Sequence, residues 1–361
     1  MLANTLFIGM GQAGNNIVDT LAGKSKMINA FFYNTAYVDM ANLKNAKVGK
    51  NIFVPNTTSG TGKNRDKSKE IMQENYTTLL SMIDRMHMIN TINIVSSMAG
   101  GSGGGSITTL TAMIKKFKPN ITVNLILIKP ALGESIRGLE NSLELWNELI
   151  KIRKIINSIT FVDNDKRNSK LEINEELAED ILMSWKVSNP NVNGIIDIED
   201  LINLNNAQGC RMMLKLKEKF NDVQLAIRKA INDSIYYTSE GNICSYAGAS
   251  LKDDTYDIED IKDSINVTDV FYEGYNNFEN LIFLSGMSLP KQLADDLMQE
   301  LIAKRKIKET SLNVNQNDLD LIVDIGKTQE TKRKDVVVEN KPEEKENIED
   351  IFNDDFFDNL F

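Results

Sequence analysis

Two glycine-rich segments, each lying between a short apolar run and a longer amphipathic run, constrain this chain more than any other feature. The first, Gly-Met-Gly-Gln-Ala-Gly at residues 9–14, follows the apolar residues 6–8. The second, at residues 100–105, follows the apolar residues 92–95 and has glycine at five of its six positions. At a strand-to-helix turn, glycine lets backbone N–H groups approach an anion, and the helix N-terminus favours negative charge. The sequence therefore predicts two anion-binding turns.

The pattern around these turns predicts an α/β fold with a mainly parallel sheet. Short apolar runs predict strands at residues 6–8, 30–33, 92–95, 123–128 and 159–162. Longer amphipathic segments predict helices at residues 66–88, 105–118, 134–157 and 174–187. Alternating strands and helices of these lengths are typical of a parallel sheet that is covered by helices on both faces.

The rest of the chain predicts a second, smaller α/β domain. After a turn-rich stretch at 189–194, the pattern predicts a helix at 222–235, strands near 243–249 and 280–285, and a helix from Pro290 to about residue 308. We therefore predict four parts, which are a nucleotide-binding domain at 1–172, a long central helix at 173–192, a second domain at 193–310, and a helix end with a disordered tail at 311–361.

Residues 326–361 have the composition of a disordered segment. They hold six Lys and Arg against eleven Asp and Glu, and such chains cannot bury enough apolar surface to offset the ordering entropy. Residues 348–361, however, interleave acids with Ile, Phe and Leu at spacings that place several apolar side chains on one helical face. This end predicts a docking segment for a basic surface of a partner or a neighbouring subunit, and a solubilising tail is the alternative.

Charge, cysteine and histidine content exclude several classes of protein. The net charge of −10 argues against nonspecific nucleic-acid binding over the whole surface. Cys210 and Cys244 form neither a disulfide framework nor a zinc motif, and the single histidine, His87, argues against a multi-histidine metal site. Because the sequence has no basic leader and no long apolar run, it predicts a cytoplasmic protein without a membrane segment.

The first glycine turn alone leaves two classes of protein open. Its Gly-x-Gly-x-x-Gly spacing also matches a dinucleotide-binding fingerprint, and Asp39 stands where a ribose-binding acid could lie, which permits an NAD-dependent oxidoreductase. The second turn favours a nucleoside triphosphate held from two sides, since a dinucleotide-binding unit does not need a second anion nest. A P-loop is excluded because neither turn has the Gly-Lys-Ser/Thr ending.

Both turns resemble those of one known family. Residues 11–15, Gly-Gln-Ala-Gly-Asn, are similar to the first nucleotide loop of tubulins. Residues 99–105 resemble the tubulin signature Gly-Gly-Gly-Thr-Gly-Ser-Gly, from which they differ at Ala99, Ser102 and Gly104. Further matches follow in the family's order through about residue 210 and more faintly to about residue 310. The chain is thus identified as a divergent member of the tubulin and FtsZ superfamily, which implies a GTPase.

The resemblance implies a site for GTP or GDP, with Mg²⁺ held mainly through phosphate and water rather than by protein ligands. Residues 34–35 match the family's Asn-Thr-Asp loop, except that Ala36 replaces its acid. Residues 130–137 resemble the ribose loop, in which Glu134 would accept from the ribose hydroxyls and Arg137 would lie beside the sugar and base. The implied nucleotide-contacting residues are Gly11, Gln12, Ala13, Asn16, Ala99, Gly100, Gly101, Ser102, Gly103, Gly104, Gly105, Glu134, Arg137, Asn164 and Glu179.

Two of these residues suit guanine rather than adenine. Residues 163–166 match the family's Pro-Asn-Asp-Lys turn, and residues 178–182 match Ala-Asp-Asn-Val-Leu on its central helix. Guanine presents N1–H and N2–H₂ as donors, which the Asn164 carbonyl and the Glu179 carboxylate can accept, whereas adenine N1 is an acceptor. A solvated helix acid is the alternative for Glu179.

Two carboxylates are implied to act on the nucleotide of a neighbouring subunit. Asp197 and Asp200 match the Asp-x-x-Asp of the family's synergy loop, although Ile195 stands where the family has Asn. In the family this loop acts on the γ-phosphate bound to the next subunit, where the acids polarise a water, so that hydrolysis requires head-to-tail assembly. Capping of a helix N-terminus is the alternative for both acids.

Residues 56–65 and the divergent second turn are most similar to the TubZ group, which segregates plasmid and phage DNA. The resemblance implies a cytomotive filament made of copies of the chain itself, and a DNA-bound partition adaptor that contacts the C-terminal tail. An FtsZ-like cell-division GTPase is the alternative within the superfamily. A nucleotide-binding adaptor that never polymerises is a further alternative.

Overall fold

The computed structural model describes residues 2–55, 60–86, 88–186, 191, 193–217, 220–237 and 243–317. His87, part of the turn-rich stretch at 189–194 and the predicted tail from about residue 326 lie outside the described residues. Residues 1–302 form one compact unit, and the described part of a second unit, 303–361, is the end of a helix.

A single sheet of ten strands organises the described residues. In chain order the strands are β1 Thr5–Met10, β2 Asn29–Tyr33, β3 Ile52–Phe53, β4 Thr91–Ser97, β5 Thr122–Lys129, β6 Ser158–Asp163, β7 Gly209–Lys215, β8 Ile243–Ser250, β9 Asn266–Gly274 and β10 Leu281–Met287. Their order in the sheet is β3-β2-β1-β4-β5-β6-β7-β10-β8-β9. The seven strands from β3 through β7 in this sheet order are parallel to one another. Strand β10 runs antiparallel to its two neighbours, β7 and β8.

Nine α-helices of the described residues are interspersed with the strands along the chain. They are α1 Gly11–Lys24, α2 Arg65–Asp84, α3 Ser102–Phe117, α4 Ile136–Ile152, α5 Lys170–Met183, α6 Ile198–Asn206, α7 Val223–Asp233, α8 Ile258–Asp263 and α9 Lys291–Asn317. None of the helices in the described part of the chain is long and apolar enough to cross a membrane.

The core lies along the inner strands. Every residue of β1 and β6 is buried, which explains why these strands are mostly apolar in the sequence rather than alternating apolar and polar. Helix α1 crosses β4 so closely that a Cβ on Gly14 would lie 2.0 Å from the carbonyl oxygen of Val95. The third glycine of the first turn is therefore needed for helix-to-strand packing.

The predicted fold class, a mainly parallel α/β sheet with helices, is confirmed. Strands β7 and β9 were not predicted, because β7 includes charged side chains and β9 is an edge strand whose residues are mostly exposed or half-buried. Because β6 pairs with β7 through Ser158 and Gly209, the sheet runs without a break into the second half. The four-part division at 172, 192 and 310 stays a prediction.

The bounds of helices α4 and α5 differ from the sequence-based prediction. Helix α5 begins at Lys170 rather than 174, because the Ser169 side chain accepts from the N–H of Glu172 and caps it. It ends at Met183, whereas the sequence predicts a helix to 187 and a central helix to 192, and Asn205 donates to the carbonyl of Ser184 just beyond this end. Residues 187–190 and 192 lie outside the described residues, so the longer central helix stays a prediction. Helix α4 likewise ends at residue 152 rather than 157, followed by a short 3₁₀ turn.

Candidate nucleotide-binding site

Both glycine turns lie at one edge of the sheet, because they follow neighbouring parallel strands. Met10 at the end of β1 pairs with Ser96 near the end of β4, and helices α1 and α3 begin just beyond. Between the two turns lies a cavity of ≈ 430 Å³, which we call the first cavity. Its lining includes Gly11, Gln12, Ala13, Asn34, Ala36, Asp39, Thr61, Lys63, Ala99, Gly100, Gly101, Ser102, Gly103, Gly104 and Glu134.

The two turns touch each other through backbone atoms alone. A Cβ on Gly103 would lie 2.4 Å from the carbonyl oxygen of Met10, and Gly11 adopts a φ of +69°, which side chains disfavour. A Cβ on Gly101 would lie 2.6 Å from the Cα of Lys63. The cavity therefore keeps its shape only while these positions are glycine.

The helices that open into the first cavity lack the capping that other helices have. Helices α2, α4, α5, α6, α7 and α8 each begin with a side chain that accepts from a first-turn N–H. At α1 and α3 the N-cap residues, Met10 and Gly101, make no such side-chain bond. First-turn N–H groups need an acceptor, and the positive end of each helix dipole favours an anion. Two uncapped helices thus aim their donors at one cavity.

Two hydroxyl groups of the second turn lie in different surroundings, one in the cavity lining and the other in the core. The Ser102 hydroxyl lies in the cavity lining, 2.6 Å from Oγ1 of Thr35. Ser106, at the end of this turn, is buried and donates to the carbonyl of Ser68. Ser106 therefore joins α3 to α2 rather than facing the cavity.

A second cavity of ≈ 360 Å³ adjoins the first and shares Gln12, Ala13, Ser97 and Glu134 with it. Its other lining residues include Asn16, Ile128, Pro130, Asn164, Lys170 and Asn174. Backbone donors dominate the first cavity, whereas side-chain amides and apolar groups line the second. The pair of cavities suits a phosphate chain in the first and a nucleoside in the second.

Glu134 stands between the two cavities and carries strong hydrogen bonds. Its Oε1 accepts from Nζ of Lys63 at 2.7 Å, from the N–H of Ser135 at 2.7 Å and from the hydroxyl of Ser135 at 2.9 Å. Burial alone would raise the pKa of Glu134, but these bonds outweigh it and lower the pKa below its usual value. Glu134 is therefore a carboxylate at neutral pH, able to accept from hydroxyl groups.

Three residues that the resemblance assigns to the nucleotide lie outside both cavities. Gly105 packs against α2, since a Cβ there would lie 2.7 Å from the carbonyl oxygen of Arg65. Arg137 lies 4.0 Å from Glu140 and outside the lining. Glu179 accepts from Nζ of Lys24 at 3.0 Å at the far end of α1, and its role toward guanine stays a prediction.

Sequence reasoning missed Lys63, Lys170 and Asn174 as lining residues. Asn174 is on α5, five residues before Glu179, and its amide faces the same cavity as Asn164. The capping signal at Ser169 could have located the start of α5, and with it these positions. Nothing in a single sequence shows that the loop at 60–64 folds over the second glycine turn.

A buried ion cluster supports the second turn from behind. Arg65 is fully buried, and its Nη1 donates to the carbonyl of Gly104 at 2.6 Å. Its Nη2 lies 2.7 Å from Glu148, which also pairs with Lys69 at 2.7 Å and accepts from the hydroxyl of Thr108. Burial would raise the pKa of Glu148, but the two cations outweigh it and lower the pKa. The cluster fixes the orientation of the glycine turn.

The paired carboxylates of the predicted synergy loop lie away from both cavities. Asp197 is the N-cap of α6 and accepts from the N–H groups of Glu199 and Asp200 at 2.8 and 3.1 Å. Asp200 in turn accepts from the N–H of Asp197 at 2.9 Å, which completes a capping box. Within one copy of the chain, both acids therefore cap a helix, as the alternative interpretation predicted.

Comparison with known proteins identifies the class. Residues 4–171 match the Tubulin/FtsZ family, GTPase domain. This part of the chain, with its two glycine turns at the edge of the sheet, is similar to the Tubulin/FtsZ GTPase domain, and the protein is a GTPase. The match favours GTP hydrolysis over the NAD-dependent oxidoreductase that the first turn alone left open.

The similarity extends over nearly the whole chain. It is 28% identical over 358 residues to Tubulin-like protein TubZ of Clostridium botulinum C phage, covering 98% of each chain. Its fold matches a tail-truncated TubZ of Clostridium botulinum phage c-st with a TM-score of 0.76 and 27% identity, over 84% of this chain and 99% of that one. A GTPγS-form protofilament of Bacillus thuringiensis serovar israelensis TubZ shares the fold, with a TM-score of 0.72 and 15% identity over 86% and 94%.

Proposed function

We propose that this GTPase forms head-to-tail filaments and hydrolyses GTP at the interface between successive copies. The observation that carries the proposal is that the first cavity and the paired carboxylates lie apart within one copy of the chain. The uncapped helices meet in the first cavity, whereas Asp197 and Asp200 lie outside it and exposed or half-exposed on α6. A second copy that placed its α6 over the cavity would bring these carboxylates to the terminal phosphate.

In this proposal the phosphates occupy the first cavity. The N–H groups at the starts of α1 and α3 donate to phosphate oxygens, and the Ser102 hydroxyl adds a donor. The ribose hydroxyls donate to Glu134, and the base lies in the second cavity. Asn164 keeps its predicted role, while Asn174 takes the place of Glu179, since its amide oxygen can accept from guanine.

Mg²⁺ would neutralise the phosphates without a protein cage. Among the described residues no group of three or more His, Cys, Asp and Glu could hold a metal ion. Asp39 is the acid of the first cavity near Ala36, and it accepts from the Nδ2 of Asn34 at 3.3 Å. We propose that Asp39 accepts from water on the ion, because Mg²⁺ keeps several waters when it is bound to phosphates.

The chain's partners follow from the relatives. The similarity to TubZ, one form of which is a protofilament, supports self-association into filaments. We propose that these filaments segregate plasmid or phage DNA, as the resemblance in the sequence implies. We propose a DNA-bound adaptor as the second partner, contacted through residues 348–361, which lie outside the described residues. The cytoplasmic location stays a prediction.

Sedimentation and phosphate release, measured together, test the proposal. With GTP, the full chain should pellet above a critical concentration, and the hydrolysis rate per subunit should rise sharply at that concentration. With GDP or NAD it should stay in the supernatant. If the rate per subunit stayed constant across the assembly threshold, each copy would hydrolyse GTP alone and the proposal would be wrong.

A further inference from the structure

One cationic side chain lies in the wall of the first cavity without an assigned role. Among the residues that the structure describes, Lys63 is the one Lys or Arg in the lining, which also contains the acids Asp39 and Glu134. A terminal phosphate carries about −1.5 to −2 charge at pH 7. Such a charge in a cavity with two acids needs a cation besides Mg²⁺.

The backbone of Lys63 is held directly against the second glycine turn. Gly60 and Gly62 have φ angles of +104° and +57°, and Lys63 itself has a φ of +63°. A residue with a Cβ disfavours this conformation, so the surrounding contacts must hold it there. The close approach of Lys63 to Gly101 and a bond from the N–H of Asn64 to the carbonyl of Thr61 supply such contacts.

Helix α4 also anchors the peptide group of Lys63. Nδ2 of Asn141, on α4, donates to the carbonyl of Lys63 at 3.0 Å and to the carbonyl of Ala99 at 3.1 Å. One buried amide therefore ties the loop at 60–64 to the turn at 99–105. The Lys63 side chain begins at a fixed point beside the predicted phosphate position.

The end of the side chain, in contrast, is free to change partners. Nζ of Lys63 donates to Oε1 of Glu134 at 2.7 Å and to the hydroxyl of Ser135 at 3.0 Å, with 42% of the side chain exposed. Exposed ion pairs of this kind are worth less than about 1 kcal/mol, which a bound phosphate can outweigh. Glu134 is also the residue that a ribose would engage.

We propose that Lys63 binds the terminal phosphate of GTP, and that nucleotide binding separates it from Glu134, which then accepts from the ribose. The inference rests on the proposed placement of the phosphates in the first cavity. GDP engages Glu134 equally well but offers Lys63 no terminal phosphate. Lys63 thus makes the loop at 60–64 the part of the site that distinguishes GTP from GDP.

Equilibrium binding of GTPγS and GDP to the full chain, below the assembly threshold and with Mg²⁺, tests the assignment. Lys63→Gln should weaken GTPγS about tenfold or more, because a charge-assisted bond is lost, and should weaken GDP less than about threefold. Lys63→Arg should restore most of the preference for GTPγS. Retained GDP binding shows that the variant is folded.

Two further variants separate phosphate binding from other effects. Lys50→Gln removes the same charge from an exposed residue outside the lining, and should change neither affinity by more than about twofold. Glu134→Gln should weaken GTPγS and GDP by the same factor, since both carry a ribose.

The two proposals fail in different ways. If Lys63→Gln weakened GTPγS and GDP equally, or neither, Lys63 would not contact the terminal phosphate, while GTP binding at this site would still stand. If the parental chain bound neither nucleotide, the proposed site itself would be wrong.

Discussion

The glycine-lined cavity and the N-terminus of α6 hold the two groups of residues that we assign to GTP, and they are built in opposite ways. In the cavity, backbones approach so closely that a side chain on Gly103 would meet Met10. At α6, Asp197 and Asp200 bond to the first turn of their own helix and lie outside the cavities. One copy is therefore preorganised to bind a nucleotide. The position of the two carboxylates outside the cavities fits our proposal that hydrolysis needs a second copy.

Asp197→Asn gives the largest expected effect, because it removes one of the two carboxylates at the start of α6. Asn is as good an N-cap as Asp, so α6 should keep its start while the carboxylate is lost. We expect GTP hydrolysis to fall about 100-fold or more, the usual contribution of a carboxylate that polarises water. Nucleotide affinity of the unassembled protein should stay within about twofold, since the residue is outside the cavity. Phosphate release and nucleotide titration measure the two effects.

Asp200→Asn should behave in the same way, and Glu199→Gln provides the matched control. Glu199 lies between the two acids in the first turn of α6 and is exposed. Its loss should leave hydrolysis within about twofold, because it belongs to neither the predicted pair nor the capping box. Equal losses in all three variants would point to a general effect of charge on α6 rather than to two catalytic carboxylates.

In the cavity, the test is Gly103→Ala. The added Cβ would lie 2.4 Å from the carbonyl oxygen of Met10, so the two turns must move apart. Overpacking of this kind costs about 1–3 kcal/mol, and we expect GTP affinity to fall by up to about a hundredfold. Titration with a fluorescent GTP analogue measures the loss.

Gly100→Ala is the control from the same turn. A Cβ there would meet its nearest neighbour, the carbonyl oxygen of Ser97, at 3.9 Å. We expect its affinity for GTP to fall less than about threefold. Equal effects at the two positions would mean that the turn is flexible and that its shape does not decide binding.

The smallest expected effect comes from the ion cluster behind the second turn. Glu148→Gln removes the closer and more buried of the two carboxylates that pair with the fully buried Arg65, and should lower the free energy of unfolding by about 2–3 kcal/mol at neutral pH. Because the folded-state pKa of Glu148 is lowered, its contribution is present above the unfolded pKa of about 4.3 and is lost as the pH falls through the folded value.

Urea unfolding at several pH values measures this difference, which should shrink below about pH 4. Glu144→Gln is the control, because its side chain is 43% exposed and lies 3.2 Å from Nε of the same arginine. It should cost less than about 1 kcal/mol. A Glu148 effect that persisted unchanged at low pH would show that packing, rather than charge, is lost.

The same contrast explains what the sequence could predict. The glycine turns were visible because close backbone approach permits one residue type, and the buried strands because they are mostly apolar rather than alternating apolar and polar. Glu179 was assigned by its place in a motif, whereas in the fold it pairs with Lys24. Lys63 and Asn174 reach the cavities through a loop that folds back and a helix that starts early, and neither feature has a local sequence signal beyond the Ser169 cap.

Asp197 and Asp200 show a different limit. The pair has the same spacing in a capping box and in a catalytic loop, so one sequence supports both interpretations. The fold of one copy shows the cap. A role across an interface depends on a second copy, and only an experiment with two copies can reveal it.

Mixing two inactive variants tests the central claim most directly. At a GTP concentration that saturates the parental chain but lies well below the weakened affinity of Gly103→Ala, this variant stays largely empty but keeps its carboxylates, whereas Asp200→Asn binds GTP but lacks one of them. If the carboxylates of one copy act on the nucleotide of the next, an equal mixture should release phosphate well above the sum of the two separate rates. A mixture that is no faster than this sum, although the two variants sediment together, would contradict hydrolysis between subunits.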